Sequence, residues 1–485
     1  MFFKKACIIC IWCALCNSGR VAAQIGMGLA ETKILYSTED SFVPSDTSHL
    51  FIVKEITVEG NRYTRTATIL RELSFYKGQG YSLPLLVKKF AQAKKQLMNT
   101  TLFQEVVVSL ESLEGYDAHV NIEVRERWYI FPIPFIKTVD RSFGEWVKEQ
   151  NMDWERVNYG IRIKHYNATG RNDKLSLYFM NGYTKQLALE YKGLILDKKQ
   201  QWSSSLGMAV GKNKQLDYIT TDNKRQFFKS DQTFVHSFFN SYLEFSYRRA
   251  IKTKHTFGAS YQSFSIPDTI LKINPSFSPN KKSTIRYPEL YYTLTHFNVD
   301  YIPYPTKGYS AEISLRKKGL GSDMNLWELT SKASGMWRLG DKYSFNLRLV
   351  GSLKLPFKQP YINQQFLGFN DMYLQGYEYY VINGVAGGYT KAIFSRELLN
   401  TNFHIPSGKI KKLNHIPFRL YAKVYGNAGY VYNPEPGDNL LCNRMLYSAG
   451  VGLDVVTFYD FIVRFEWSFN QLGQNDLYLH RKNYY

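Results

Sequence analysis

The stretch VRFEWSFN, residues 463–470, decides the fold. Its apolar and polar residues alternate strictly, with Val463, Phe465, Trp467 and Phe469 in one set and Arg464, Glu466, Ser468 and Asn470 in the other. Successive side chains of a β-strand point to opposite faces, so a strand at this position has one apolar face and one polar, partly charged face. The stretch therefore predicts a β-strand that lies between two very different surroundings.

The same period of two recurs from Trp128 to Tyr485, for example at 187–192, 243–248 and 312–316. A soluble β-sandwich also alternates, but its water-facing side is seldom so regular over such a length. The chain is 16% aromatic, with 37 Tyr and 32 Phe, as expected for the aromatic girdles of a membrane barrel. Lipid offers no water to backbone groups, so such a sheet must close on itself. At roughly 22 residues per strand and turn, the region at 128–485 predicts a mainly β fold, a transmembrane antiparallel β-barrel of about 16 strands.

The first 23 residues predict a signal peptide. Lys4 and Lys5 precede a short apolar run, and Val21-Ala22-Ala23 resembles a cleavage site. The run is too short for a membrane anchor, which needs about 18 apolar residues. A lipid-modified Cys16 is the alternative, and the bulky residue before it argues against that. Residues 24–50 are polar and predict a flexible lead-in.

Cysteine content and charge restrict the partners. Of five cysteines only Cys442 lies beyond the predicted signal peptide, which predicts no disulfide and no metal framework. No metal and no cofactor is therefore expected. The formal net charge is +20. An exported chain argues against nucleic acid as the partner, so we expect anionic outer-membrane lipid, lipopolysaccharide or acidic loops of a partner protein.

Residues 51–127 predict a small α+β domain. A strand at 52–58 ends at Gly60-Asn61, a short helix follows at 66–73, and Pro84 opens a longer helix. Two strands then follow, at 105–110 and 119–124. The order is β-α-α-β-β, and no catalytic pattern is visible in it.

A long connection interrupts the alternation at about 356–388 and contains five glycines. An insertion of this length in a regular domain is usually functional, although barrels also have ordinary long loops. Several motifs occur in this connection and elsewhere in the chain. They are ITVEGN at 56–61, the hairpin residues Asp300, Pro305 and Gly308, the strand residue Glu397, and the loop-tip run Leu374, Gln375, Gly376 and Tyr377.

In order and spacing these motifs resemble the outer-membrane assembly and translocation family that includes BamA, TamA and the two-partner secretion transporters. The resemblance covers Phe51 to Tyr485. It implies one polypeptide-transport-associated (POTRA) domain in the periplasm, followed by a 16-stranded barrel in the outer membrane of a Gram-negative cell. It also implies that the long loop folds into the barrel.

The chain departs from this family at the loop tip. In relatives an arginine before the Gly-aromatic pair bonds a carboxylate on the inner wall. Here Gln375 takes the place of the arginine, and Asn427 stands at the acidic position of the wall motif that ends with Gly429. Asn427 and Lys423 are separated by an even number of positions, so their side chains lie on the same face of a strand. We expect this face to line the lumen. We predict an amide–amide contact that leaves no buried charge unpaired but is weaker than the charged one. On that basis Gln375→Arg alone should be harmful, and Asn427→Asp should rescue it.

Pro132 and Pro134 lie in the predicted first barrel strand, at 128–137. Proline donates no ladder hydrogen bond, and this strand must close the barrel against the last one, at 476–485. A seam with few donors opens more easily, and the resemblance implies a lateral gate where a client strand pairs with an exposed edge. Alternatively, the prolines only set the entry from the preceding domain.

No motif indicates an enzyme, because the nine histidines form no HExxH pair and the chain has no GxSxG elbow. We interpret inward residues such as Arg464 and Glu466 as lumen-lining groups, and no catalytic residue is expected. The predicted function is non-enzymatic assembly, insertion or translocation of proteins at the outer membrane. Its expected partners are unfolded client proteins, membrane lipid and accessory envelope proteins. The alternatives are a dedicated exporter of one secreted protein and a passive channel or structural barrel.

Overall fold

The computed structural model describes residues 49–139, 146–147, 151–230, 233–321, 324–369, 372–404, 415–457 and 460–482. The predicted signal peptide and residues 24–48 of the predicted lead-in lie outside the described residues.

The N-terminal domain is a mixed four-stranded sheet covered by two helices. Its elements are β1 (Phe51–Glu59), α1 (Thr66–Arg71), β2 (Gly80–Tyr81), α2 (Leu83–Asn99), β3 (Phe103–Glu114) and β4 (Asp117–Glu126). The strand order is β2-β1-β4-β3, with β1 parallel to β4. The predicted order is confirmed, with the addition of the two-residue strand β2. No helix in the described part of the chain is long and apolar enough to cross a membrane.

The core of this domain lies between the helices and the sheet. Alternate residues of β4 point inward, and Val120 and Ile122 are completely buried against Leu86 and Leu97 of α2. Pro84 sits in the first turn of α2, where its missing N–H removes no helical hydrogen bond. The 3.6-residue spacing of apolar side chains in α2 therefore becomes the face that covers the sheet.

The second domain is a 16-stranded antiparallel sheet, which confirms the predicted fold class and strand number. Its strands are β5 (Ile130–Thr138), β6 (Val157–Tyr166), β7 (Lys174–Gly182), β8 (Thr184–Ile195), β9 (Trp202–Asn213), β12 (His236–Tyr247), β13 (Thr253–Ser265), β14 (Thr284–Val299), β15 (Gly308–Gly321), β16 (Met324–Leu339), β17 (Tyr343–Leu355), β20 (Ala386–His404), β21 (His415–Tyr432), β22 (Met445–Thr457), β23 (Phe461–Asn470) and β24 (Asn475–Lys482). They follow one another around the barrel in chain order.

The remaining elements are short and lie in the connections. They are the hairpin of β10 (Gln215–Thr221) and β11 (Lys224–Lys229), the helix α3 (Asp268–Ile273), the paired strands β18 (Gln365–Leu367) and β19 (Ile382–Asn383), and 3-10 turns at Trp154–Arg156, Pro279–Lys281 and Tyr361–Asn363.

The predicted alternation is realised on the barrel wall. Leu187 and Leu189 of β8 are 50% and 43% exposed on the outer face. Polar side chains between them face the interior, where Glu190 accepts a hydrogen bond from the Tyr242 hydroxyl at 2.6 Å. An outer belt of exposed apolar side chains around a polar interior is the arrangement that lipid requires.

The N-terminal domain is held against four turns at one end of the barrel. Arg248, after β12, makes a bidentate ion pair with the buried Glu72 at 2.7 and 3.0 Å. Arg127 pairs with Asp460, before β23, at 2.5 Å. The backbone N–H of Ile302, after β14, donates to Asn99 at 3.0 Å.

The fourth contact of the N-terminal domain is at the turn between β6 and β7. The carbonyl of Gly170 accepts hydrogen bonds from the backbone N–H of Arg65 at 2.9 Å and from the hydroxyl of Thr68 at 3.1 Å. The four contacts together fix the domain to turns spread around the barrel.

Candidate functional site

The long connection leaves the barrel after Leu355 and returns to it before Ala386. Its tip is buried: Leu374 and Gln375 are each 2% exposed, and Tyr377 is 3% exposed. The tip therefore lies inside the barrel, against the inner wall formed by β21 to β24.

Gly376 permits the turn at the tip. Its φ is +87°, in the left-handed region that favours glycine, and a Cβ there would lie 3.1 Å from the Cβ of Ser448. Its N–H donates to a carboxylate oxygen of Glu378 at 2.8 Å, and its carbonyl accepts from the Asn470 amide at 2.7 Å. The glycine lets the tip lie flat on the wall with both backbone groups paired.

Gln375 binds a buried ionic network. Its side-chain N–H donates to Oε1 of Glu466 on β23 at 2.7 Å. The same oxygen lies 2.5 Å from Nζ of Lys423, which also pairs with Asp454 at 2.5 Å. The side chains of Lys423 and Glu466 are 1% and 0% exposed. Two carboxylates thus flank one lysine, and the loop amide donates a further hydrogen bond to one of them, Glu466.

The predicted contact between Gln375 and Asn427 is wrong. Asn427, on β21, donates instead to the hydroxyl of Ser448 on β22 at 3.0 Å. The side-chain oxygens of Gln375 and Asn427 have no hydrogen-bond partner among the described residues. The physical reason is that an ionised carboxylate is a stronger acceptor than an amide, and Glu466 lies within reach of the loop tip.

Tyrosines anchor the rest of the tip. The Tyr377 hydroxyl donates to the carbonyl of Tyr447 at 3.1 Å. The Tyr379 hydroxyl donates to Asp476, on the last strand, at 2.7 Å. Gly429, the predicted wall residue, lies beneath the tip, because a Cβ there would be 3.5 Å from Leu374. The tip therefore reaches from β21 to the last strand.

The hairpin motif forms a tight turn between β14 and β15. This turn lies at the end of the barrel opposite to the one where the long loop leaves it. Asp300 accepts hydrogen bonds from the backbone N–H of Thr306 at 3.0 Å and from its hydroxyl at 2.5 Å. Pro305 lies within the turn that Asp300 closes. Gly308 has a φ of +116°, and a Cβ there would lie 2.1 Å from a backbone oxygen of Asn298. The motif thus specifies one turn conformation.

The structure brings the hairpin, the strand motif and the loop tip together through tyrosines. Tyr304 of the hairpin stacks on Tyr421 with ring centroids 4.5 Å apart, and its hydroxyl donates to Asp454 at 3.0 Å. Tyr421 in turn donates to Glu397 at 2.9 Å. The continuous chain of contacts, which we call the lumen chain, consists of Glu397, Tyr421, Tyr304, Asp454, Lys423, Glu466 and Gln375.

The seam between the first and last barrel strands is unpaired in the described residues. The sheet runs from β5 to β24 without a ladder that joins these two strands. Pro132 and Pro134 pair with Ile163 and Ile161 of β6, and both prolines lack an N–H. Proline in a sheet is confined to edges and to strand ends, so β5 has the composition of an edge strand.

Sequence reasoning had placed Glu466 only as a lumen-lining group, and it had not indicated Asp454 or Tyr304. The alternation at 463–470 predicted that the side chain of Glu466 points into the lumen. Its contact with a loop residue 91 positions away depends on how the loop crosses the lumen. That path is a property of the closed barrel and not of any local pattern.

Comparison with family models agrees with this architecture. The Omp85 superfamily domain matches residues 153–458. The POTRA model, described as a surface antigen variable number repeat, matches residues 51–127. No curated protein sequence matches the chain.

Several solved structures align with most of this chain at low identity. BamA from Haemophilus ducreyi lacking POTRA domains 1–3 is 16% identical, with a TM-score of 0.49 over 89% of this chain and 83% of that one. CdiB from Escherichia coli is 11% identical, with a TM-score of 0.54 over 89% of this chain and 75% of that one. CdiB from Acinetobacter baumannii is 12% identical, with a TM-score of 0.48 over 89% and 73%.

Proposed function

Because this chain belongs to the Omp85 superfamily, we propose that it is a non-enzymatic factor that inserts client polypeptides into the outer membrane. In this proposal the barrel lies in the outer membrane and the POTRA domain lies in the periplasm. Unfolded clients meet the POTRA domain first and the barrel seam second. Outer-membrane lipid surrounds the barrel, and accessory envelope proteins deliver clients.

The observation that carries the proposal is the seam, where no ladder joins the described residues of β5 and β24. Backbone groups in a bilayer must find partners within protein, and an edge strand without a neighbour is a template for another strand. The edge of β5 has lost two donors at Pro132 and Pro134, so pairing with β24 gains fewer hydrogen bonds than elsewhere in the sheet. A client strand can therefore compete for the β24 edge, which carries a full set of donors between Asn475 and Lys482.

The POTRA domain offers a second edge. In its sheet β3 pairs only with β4, so the outer edge of Phe103–Glu114 is free of a neighbouring strand in the described domain. Val107 and Leu113 are 41% and 42% exposed there. An extended client segment can add to this edge through backbone hydrogen bonds, which need no particular client sequence.

The lumen chain supports the wall beside the seam. It joins the loop tip to β21, β22 and β23, and Tyr379 extends the contact to Asp476 on β24. The strands next to the seam are thereby braced from inside, so that opening at the seam leaves the rest of the wall in place.

Site-specific photo-crosslinking tests the seam. A photoreactive amino acid at Ile130 or Ile136, which are 48% and 76% exposed on β5 and leave both prolines in place, should capture unfolded client polypeptides in cells. The matched control is Leu315, which is 42% exposed on the outer face of the mid-sheet strand β15. Client adducts at both Ile130 and Ile136 and none at Leu315 are expected. Equal adducts at all three positions would remove the seam from the proposal.

Depletion of the protein followed by an envelope proteome distinguishes insertion from dedicated export. Broad loss of outer-membrane barrels is expected for an insertion factor. Loss of a single secreted protein, with the barrels unchanged, would replace the proposal by the exporter function.

A further inference from the structure

We propose that Glu378, Glu466 and His480 form a binding site for one divalent transition-metal ion, for which Zn²⁺ is the best fit. The three side chains come from the loop tip, β23 and β24. Their ligand atoms all lie within 4.8 Å of one another. The site is independent of the proposed insertion function and goes beyond it.

The distances fit tetrahedral coordination. Nε2 of His480 lies 3.2 Å from Oε1 of Glu378 and 3.4 Å from Oε2 of Glu466. Zinc binds imidazole nitrogen and carboxylate oxygen at about 2.0–2.2 Å, so two ligands of a tetrahedral ion are about 3.3–3.5 Å apart. Both distances from His480 therefore match the distance between two ligands of one ion, and the two carboxylate oxygens lie within 4.8 Å of each other.

The remaining carboxylate oxygens are already held by donors. Oε2 of Glu378 accepts the N–H of Gly376 at 2.8 Å. Oε1 of Glu466 accepts from Gln375 at 2.7 Å and from Lys423 at 2.5 Å. The two oxygens that face His480 are the ones left over. Partners that fix the outer oxygen of each ligand are what orient a metal site.

A hydrogen bond from His480 cannot satisfy both of the carboxylate oxygens that face it. Oε2 of Glu466 is buried and has no hydrogen-bond partner among the described residues, in a residue that is 0% exposed. The single proton on Nε2 of a neutral His480 can satisfy only one of the two facing carboxylates. A metal ion bound to the nitrogen lone pair satisfies both, and it removes the cost of the unpaired buried oxygen.

The ligand set selects the ion. Imidazole nitrogen suits zinc and related transition metals, whereas magnesium and calcium prefer oxygen ligands alone. His480 also lines a lumen cavity of about 460 Å³, which gives an ion a path to the site. Its ring stacks on Tyr373 with centroids 5.1 Å apart, so its orientation is set by packing. A bound ion would join the loop tip directly to the last strand.

Metal binding is tested on the full mature chain, without an affinity tag, in non-ionic detergent. After EDTA treatment and equilibration with Zn²⁺, elemental analysis should find one zinc per chain. His480→Ala and Glu378→Gln should each weaken zinc binding at least tenfold. The matched control is His255→Asn, because His255 is a strand histidine that bonds a tyrosine hydroxyl. This control should keep one zinc.

Cobalt and thermal unfolding give independent readouts. Co²⁺ should show the visible absorption of a tetrahedral site in the wild type and in His255→Asn, and not in the ligand variants. Zn²⁺ should raise the unfolding temperature of the wild type, whereas Mg²⁺ should not. If the wild type retains no zinc, or the ligand variants retain as much as the wild type, His480 is only an ion-pair partner of the two carboxylates and the proposal fails.

Discussion

At the scale of single residues, Gln375 is sensitive to charge because it touches a carboxylate that is already buried. Gln375→Ala removes one donor from Glu466 and should lower the free energy of unfolding by about 1–3 kcal/mol. Gln375→Glu places a second carboxylate there and should cost about 3–5 kcal/mol. Denaturant unfolding in detergent micelles measures both. Gln226→Glu, at an exposed position of β11 away from the loop tip, is the control and should change stability by less than about 0.5 kcal/mol. Equal effects of the two changes at Gln375 would contradict the network.

Because Gln375 bonds Glu466 and not Asn427, the expected result for Gln375→Arg is the opposite of the one predicted from the sequence. Gln375→Arg directs a guanidinium at Glu466, so it should be tolerated within about 1 kcal/mol, and the further change Asn427→Asp should give no rescue. The same unfolding measurement distinguishes the two contacts. A harmful Gln375→Arg that is restored by Asn427→Asp would reinstate the amide pair.

Cys442 is expected to be chemically inert in the folded chain. Burial raises the pKa of its thiol to about 11, and the thiol donates to the carbonyl of Asn383 at 3.3 Å. At pH 8 the reactive thiolate is then a fraction of about one in a thousand. A thiol reagent should label the native chain slowly and the denatured chain at once. Fast native labelling would show that the loop around Cys442 opens readily.

The candidate site could be predicted only in part, and the residues show why. The motif residues Gln375, Gly376 and Gly429 were visible as a loop tip and a wall. The inward direction of Glu466 followed from parity. The bond between Gln375 and Glu466 was not accessible, because it depends on the position of the loop in three dimensions. Glu378 and His480 are 102 positions apart in the sequence, so no short motif indicated that they could bind one metal ion together.

At the scale of elements, the junction between the POTRA domain and the barrel depends on Arg248. Its bidentate pair with Glu72 is partly buried, so Arg248→Ala leaves a buried carboxylate without its partner. We expect faster proteolytic cleavage between the POTRA domain and β5, by about tenfold. The neighbouring Arg249 is exposed, and Arg249→Ala should leave the cleavage rate unchanged. Equal rates for both variants would mean that the ion pair does not hold the domain.

Elements with strict periodicity were predictable, and short elements were not. The strands around Leu187 and Phe465 followed from alternation, and α2 followed from Pro84 and its apolar face. The strand β2 has only two residues, and the alternation of β10 and β11 is broken by the adjacent apolar pairs Tyr218-Ile219 and Phe227-Phe228. They form because larger elements place their backbones side by side.

At the scale of the whole molecule, the loop occupies the part of the lumen next to β21 to β24. Replacing residues 361–383 by a short glycine–serine linker removes the buried tip and the strands β18 and β19. We expect the single-channel conductance in planar bilayers to rise several-fold, because a 16-stranded barrel without its loop encloses an aqueous channel. Conductance that is the same with and without the loop would favour the passive-channel alternative.

The docking of the POTRA domain limits how the barrel can open. The domain holds Gly170, in the turn between β6 and β7, and Asp460, in the turn between β22 and β23. These turns belong to strands on either side of the seam. In the proposed opening of the seam, these contacts hold the two sheet edges together at the POTRA end, and we expect the edges to separate first at the opposite rim.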